Sequence, residues 1–250
     1  MTRPTAIDVF VVDVVASRQL LEAEERQVPR LSAEDIARFQ QKLSALGQDD
    51  ACRWRAAHIA LRIILERHAG LGLRGIAFDR ASGGRPRIPL SLDLARAPEF
   101  SLSHADGVAL IAISGHGAVG ADIEVPRDIR MSAERRQRIV RAASRLATED
   151  PLPQGSDAGL LQSWVRLEAL AKATGLGIGR ILTEAGVVGA PRTELDNAER
   201  SYPFSVTDLA LGANRFGAVA ASDLSPGIAV QAFPSDAASL AAFKMLGGQT

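Results

Sequence analysis

Cysteine is almost absent: Cys52 is the only one in 250 residues. No intrachain disulfide can form, and a zinc site built on thiolates is excluded. So few thiols suit a reducing cytosol. Long hydrophobic runs are missing too, since no stretch approaches the roughly 20 apolar residues a membrane-spanning helix needs. Met1 to Ser17 is apolar, but Asp8 and Asp13 interrupt it, and the core of a signal peptide would not carry those acids. The expectation is a cytoplasmic protein with no membrane segment. Net charge is also absent, with 29 Lys and Arg against 29 Asp and Glu. That balance gives no global pull on nucleic acid, although it leaves room for a local basic pocket. There is no GxxxxGK[ST] and no strand–GxGxxG–helix, so neither a P-loop nor a Rossmann site is supported.

What is present is ordinary globular material. Hydrophobic residues make up 46% and charged residues 23%. This suffices for one large domain or two small ones. Ile7, Val9 and Val11 alternate with Asp8, Phe10 and Val12 and predict a strand. Ser17 to Pro29 reads as a polar, acid-rich connection. Ser32 and Asp35 resemble a capping box opening a helix with Ile36, Phe39, Leu43 and Leu46 on one face. A second helix is expected from about Asp50 to Ala69, then a short strand at Gly75 to Asp79. Residues 81–89 are a Gly- and Pro-rich loop carrying Arg85 and Arg87. Val108 to Ile113 and Val119 to Val125 read as a hairpin around Gly115-His116-Gly117. A basic helix is expected over Arg127 to Ala147, a linker over Glu149 to Gly159, and a helix over Leu160 to Thr174. Strands are expected near Val187 and over Tyr202 to Leu211, Arg215 to Ser222 and Gly227 to Phe233, followed by a tail able to form a short helix. Each half then contains strand, helices and strand. The organisation expected is α+β, with two similar halves at residues 1–105 and 106–234 and a tail at 235–250.

Three features carry chemistry. In Val119 to Val125, Gly120, Asp122 and Glu124 share one face, with the carboxylates roughly 7 Å apart by Cα. Such a pair is a solvated strand edge or one side of a site for a hard divalent ion such as Mg²⁺. On the later helix, Trp164, Glu168 and Lys172 are spaced by four, so they line one face at about 6 Å intervals. That is either a surface Glu–Lys pair beside a core tryptophan, or a third carboxylate with an anion-binding ammonium. The third feature is Ser103-His104, which either completes a turn or hydrogen-bonds a phosphate. Arg85 in the Gly84-Arg85-Pro86 loop offers a guanidinium for the same task. Acids for a metal plus separated cations describe a site for a phosphate ester or polyphosphate. A metal-dependent nuclease would share the acids and the lysine, but zero net charge disfavours it.

Taken in order, Gly84-Arg85-Pro86, Phe100 to His104, Val119 to Glu124, and Trp164 with Glu168, Lys172, Gly175 and Gly177 resemble the 4′-phosphopantetheinyl transferases of the longer, monomeric, surfactin-synthetase-activating type. The resemblance spans about residues 30 to 230. It implies a pseudo-dimer of two α+β halves with coenzyme A in the cleft between them. It implies transfer of the 4′-phosphopantetheine arm to a serine of an acidic apo acyl or peptidyl carrier protein, of fatty-acid, polyketide or nonribosomal-peptide type. By this match Asp122, Glu124 and Glu168 hold Mg²⁺, with Glu168 as the base and Lys172 on the pyrophosphate. Arg53, Arg85, Pro86, Ser103 and His104 hold the nucleotide end, and Arg38 and Lys42 add charge there. The chain departs from the family pattern in three places. Leu167 replaces a lysine, Arg85 replaces another, and residues 135–146 are basic where the family has aromatics. The seven arginines between Arg127 and Arg145 form a face suited to an acidic carrier, or pair with Glu134, Glu149 and Asp150. A family-derived protein that binds coenzyme A or a carrier without transfer is the alternative.

Overall fold

The computed structural model describes residues 6–69, 72–80, 84–92, 97–146, 155–188 and 202–245. It is a mixed α+β fold in layers. Strand β1 (Ile7–Asp13) is followed by helices α1 (Arg18–Gln27), α2 (Ala33–Leu46) and α3 (Gln48–Ala69). The short strands β2 (Asp79–Arg80) and β3 (Pro86–Arg87) lead to β4 (Glu99–Ala105), β5 (Val108–Ser114) and β6 (Val119–Glu124). Then come α4 (Ala133–Ser144), α5 (Asp157–Thr174), α6 (Ile178–Glu184), β7 (Ser205–Asp208), β8 (Phe216–Ala221), β9 (Ile228–Ala232) and α7 (Ala237–Met245).

Two sheets stack face to face. The first has the order β4-β5-β1-β9, antiparallel except for the parallel β1–β9 pair. The second is β6-β8-β7, all antiparallel. Alternation along each strand explains the layers. Ile7, Val9, Leu110 and Ala112 point from the first sheet into a shared layer with Val119, Ala121, Ile123 and Val219 of the second. Phe10, Val12, Ile111 and Ile113 point the other way, onto α3, and Phe233, Leu240 and Phe243 close the same core. On the far side, Ala218 and Ala220 meet α4, α5 and α6. Phe10 and Val9 are both fully buried because each has a core of its own.

Several expectations change. The hairpin read across Gly115 to Gly117 does not form: β5 pairs with β4, whereas β6 pairs with β8 in the other sheet. The actual hairpin turns at Asp106-Gly107, with φ of 34° and 86°, both in the left-handed region that a tight two-residue turn requires. The division expected at 105/106 therefore cuts a hairpin. The chain crosses between sheets at residues 115–118, and β9 returns to the first sheet. Ser17 to Pro29 is largely helix, and Val187 lies outside any strand. The basic helix is shorter than expected, starting after the Ser132 cap. Residues 149–154 of the expected linker lie outside the described residues, as does Ala147 at the end of the expected basic helix. The capping box of α2 forms as read, with Asp35 and Ser32 exchanging hydrogen bonds. Among the described residues no helix is long and apolar enough to cross a membrane.

Candidate functional site

Strand β6 and helix α5 meet where the acids lie. Gly120 makes this possible: a Cβ there would stand 2.0 Å from the Ala169 carbonyl oxygen and 2.4 Å from the Ala173 nitrogen. Glycine thus lets strand backbone touch helix backbone. Two residues further on the same face, Asp122 arrives beside Lys172, with Nζ donating to Oδ1 at 2.7 Å and to the Ala121 carbonyl at 3.2 Å. Ser103 of β4 donates its hydroxyl to the same Oδ1 at 2.6 Å. Ser101 accepts from the Ala121 amide at 3.0 Å, so side chains of β4 bridge the two sheets at this point. Asp122 is only 5% exposed.

Glu168 lies one turn before Lys172 on the same helix face and is half-buried. Burial pushes its pKa up, and the charges of Asp122 and Glu124 push the same way, while Lys172 pulls it down. Glu168 therefore feels the charge of both strand carboxylates. Glu124, at the end of β6, is held by Arg127 at 3.0 Å. Among the described residues no group of three His, Cys, Asp or Glu side chains is drawn together as a metal cage. Lys172 on Asp122 and Arg127 on Glu124 supply the neutralising charge instead. The donor chemistry, carboxylate oxygens at Asp122, Glu124 and Glu168, fits a hard divalent cation.

Opposite α5 is the Gly84-Arg85-Pro86 loop. The Arg85 guanidinium donates to Glu99 at 2.8 Å, to the Phe100 carbonyl at 3.1 Å and to the Lys172 carbonyl at 3.3 Å. It caps the carbonyl end of α5, where the helix dipole favours a cation. Burial lowers its pKa. Gly175, at φ 71°, ends α5 with its amide on the Ala171 carbonyl. Between loop, β4 and α5 lies a cleft of about 420 Å³, lined by Arg85, Pro86, Phe100, Leu102, Glu168 and Lys172 among others. A larger cleft, of about 620 Å³, lies between α4 and the start of α5.

The remaining expected residues are more dispersed. His104 is exposed beyond Ser103, and crowding by protein atoms with the positive charges of Lys42 and Lys172 lowers its pKa. It is thus held toward the neutral form. Arg38 pairs with Glu34 at 2.7 Å on α2. Arg53 pairs with Asp106 at 3.1 Å, tying α3 to the β4–β5 turn. Lys42 sits over the Trp54 ring, 5.7 Å from its centroid. Each arginine expected on the nucleotide thus already has a carboxylate partner. Arg166 makes a two-pronged contact with Asp208 of β7, both bonds at 2.7 Å, and so does not stand in for a lysine at position 167. Leu167 is 1% exposed, in the core beneath α5. Sequence reasoning assigned no role to Glu99, Ser101 or Gly120. Only Gly120 left a signal, a glycine inside a strand, which marks close backbone approach.

No protein-family model matches the chain, and no curated protein matches it.

Proposed function

We propose that the protein is a 4′-phosphopantetheinyl transferase that moves the 4′-phosphopantetheine arm of coenzyme A to a serine of an acidic apo carrier protein, with Mg²⁺ bound. The observation that carries this reading is that Lys172, which lines one cleft with Glu168 and the Arg85 loop, is also hydrogen-bonded to Asp122, which in turn takes the Ser103 hydroxyl. Acids at one end and cations at the other are what a pyrophosphate diester needs. The reading includes a pseudo-dimer of α+β halves; in its favour are two stacked sheets flanked by helices, with the cleft between β4 of the first sheet and α5, which packs on the second.

Asp122, Glu124 and Glu168 would hold the metal, which when bound neutralises the pyrophosphate oxygens as charge develops. Lys172 adds a cation to the same anion. Arg85, Pro86, Ser103 and His104, with Arg38, Lys42 and Arg53 further out, form the wall for the nucleotide. Glu168 takes the proton of the carrier serine, directly or through one water. The serine oxygen bonds to the phosphorus bearing the arm. The bond from that phosphorus to the bridging oxygen breaks, and adenosine 3′,5′-bisphosphate leaves with that oxygen.

One observation favours a second reading, a protein that binds coenzyme A without transferring it: Leu167 is buried where the resemblance implies a lysine. Incubation with coenzyme A, Mg²⁺ and a panel of apo carriers separates the two. Transfer adds the mass of one arm to a carrier. Coenzyme A binding with no mass gain on any carrier supports the second reading. Glu168→Gln should abolish transfer while circular dichroism stays unchanged; an unaltered rate would remove Glu168 from its role.

A further inference from the structure

Lys172 is the nearest positive charge to the buried carboxylate of the site. Its ammonium is 2.7 Å from Asp122 Oδ1 and 3.2 Å from the Ala121 carbonyl, and Asp122 also takes the Ser103 hydroxyl. The lysine side chain is 28% exposed and the aspartate 8%, so the pair is largely out of water, with the ammonium at the cleft rim. Glu168 stands one turn away on the same face, and Glu124 two residues along β6. An ammonium and a divalent ion cannot share this space. At hydrogen-bonding distances their repulsion is strong even when partly screened.

We propose that Lys172 is an exchangeable internal counter-ion: it neutralises Asp122 while the metal position is free, and moves onto the phosphate anion when a divalent cation takes the carboxylates. This inference rests on the metal and pyrophosphate reading above. Lysine suits the exchange better than arginine, since its ammonium is a point charge on a flexible four-carbon stem. Its root on α5, beside the cleft wall, lets the head swing into the cleft without backbone movement. Metal and anion therefore bind in a coupled way. The metal releases the lysine, the anion gives it a new partner, and each raises the affinity of the other equally.

The test uses Mn²⁺ as a spin-active probe of the metal position, with inorganic pyrophosphate as the anion and the metal–pyrophosphate equilibrium subtracted. Free and bound Mn²⁺ are read by electron paramagnetic resonance on the full chain. In the wild-type protein, pyrophosphate should raise Mn²⁺ affinity on the order of tenfold. Lys172→Met should bind Mn²⁺ alone more tightly by a similar factor and lose most of the enhancement. Lys172→Gln, which keeps a donor for Asp122, guards against a folding defect and should give the same loss of coupling. If the variants bind Mn²⁺ no better than wild type while Asp122→Asn abolishes binding, the exchange is overturned and the metal site stands. If neither wild type nor variants bind Mn²⁺ with or without pyrophosphate, the exchange falls together with the metal reading.

Discussion

The side chain that most tightly sets the site is one that is not there. Gly120 has no Cβ, and any Cβ would overlap the α5 backbone at Ala169 and Ala173. Gly120→Ala must push β6 and α5 apart by more than an ångström, and neither contact atom is a flexible side-chain end. Overpacking of this kind costs about 3 kcal/mol or more, which for a chain this size lowers the melting temperature by on the order of 10 °C. The same shift separates Asp122 from Lys172, so transfer should fall even at temperatures where the variant is folded. A melt within a degree or two of wild type would refute the close approach. His58 offers a second test, away from the cleft. Its Nδ1 lies 2.9 Å from the Trp54 carbonyl and its ring stacks against the Trp54 indole. Burial drives its pKa from 6.5 to about 4, Asp35 opposes this, and His104 and Arg62 reinforce it. The folded state thus binds fewer protons than the unfolded state between those values. Its contribution is complete above pH 6.5 and is lost as pH falls toward 4, by up to ~3 kcal/mol. Urea melts of His58→Gln should therefore lose less stability than wild type between pH 7.5 and pH 4.5. Parallel curves would show that His58 is not the group that titrates.

Among the elements, α4 and α5 divide the arginines into two kinds. Arg136 bonds to Asp157 and to the Ile129 carbonyl, fastening α4 to the start of α5. Arg138 pairs with Glu134 at 2.5 Å and Arg127 with Glu124, so part of the basic segment is internally balanced. Arg135 and Arg141 carry no carboxylate partner among the described residues, and Arg141 lines the cleft of about 620 Å³. Arg135→Glu with Arg141→Glu should therefore raise the apparent KM for the carrier about tenfold or more. Coenzyme A binding should stay within about twofold. Arg136→Glu should instead lower the melting temperature. Equal losses for carrier and coenzyme A in the double variant would contradict a docking face. The sequence shows that seven arginines cluster there but not which are committed, because Glu134 alone among these partners shares a helix with its arginine, while Glu124 and Asp157 lie on other elements. The same limit hid α1, where charged residues dominate and Leu21 supplies a buried anchor. It also displaced the hairpin. Gly115-His116-Gly117 looks like a turn between two apolar strands, whereas Asp106-Gly107 is the pair with the backbone geometry for one. Strands β1, β5, β6 and β8 were legible in the sequence, whereas β4 was not expected, and strand partnership was not legible, since β5 and β6 each find a different neighbour.

Over the whole molecule the carboxylate face was readable and the division of the chain was not. The period of two in Val119 to Val125 places Asp122 and Glu124 together whatever the sheet, and the spacing of four does the same for Glu168 and Lys172. The halves, by contrast, depend on pairings between residues far apart in sequence. The parallel β1–β9 contact joins Ile7 to Ile228, so the first sheet is finished only near the end of the chain. Helix α7 then seals the first core: Leu240 is fully buried, and Phe243 stands edge-on to Phe10 and Phe233 at 5.7 and 5.5 Å. The Arg67 guanidinium lies over the Phe243 ring, and Lys244 pairs with Glu24 of α1 at 2.8 Å. Ending the chain at Ser235 removes both apolar side chains, each worth roughly 1.5–3 kcal/mol when buried. A total of about 3–6 kcal/mol corresponds to a fall in melting temperature of roughly 10 °C. Because the two sheets share a packed layer and Ser101 and Ser103 tie β4 to β6, the loss should not stay in the first core. Calorimetry of the shortened chain should show one transition moved as a whole, with coenzyme A binding weakened although no residue of the cleft is altered. Two separated transitions, the upper one unshifted, would mean that the sheets fold independently and that the cleft does not rely on their junction.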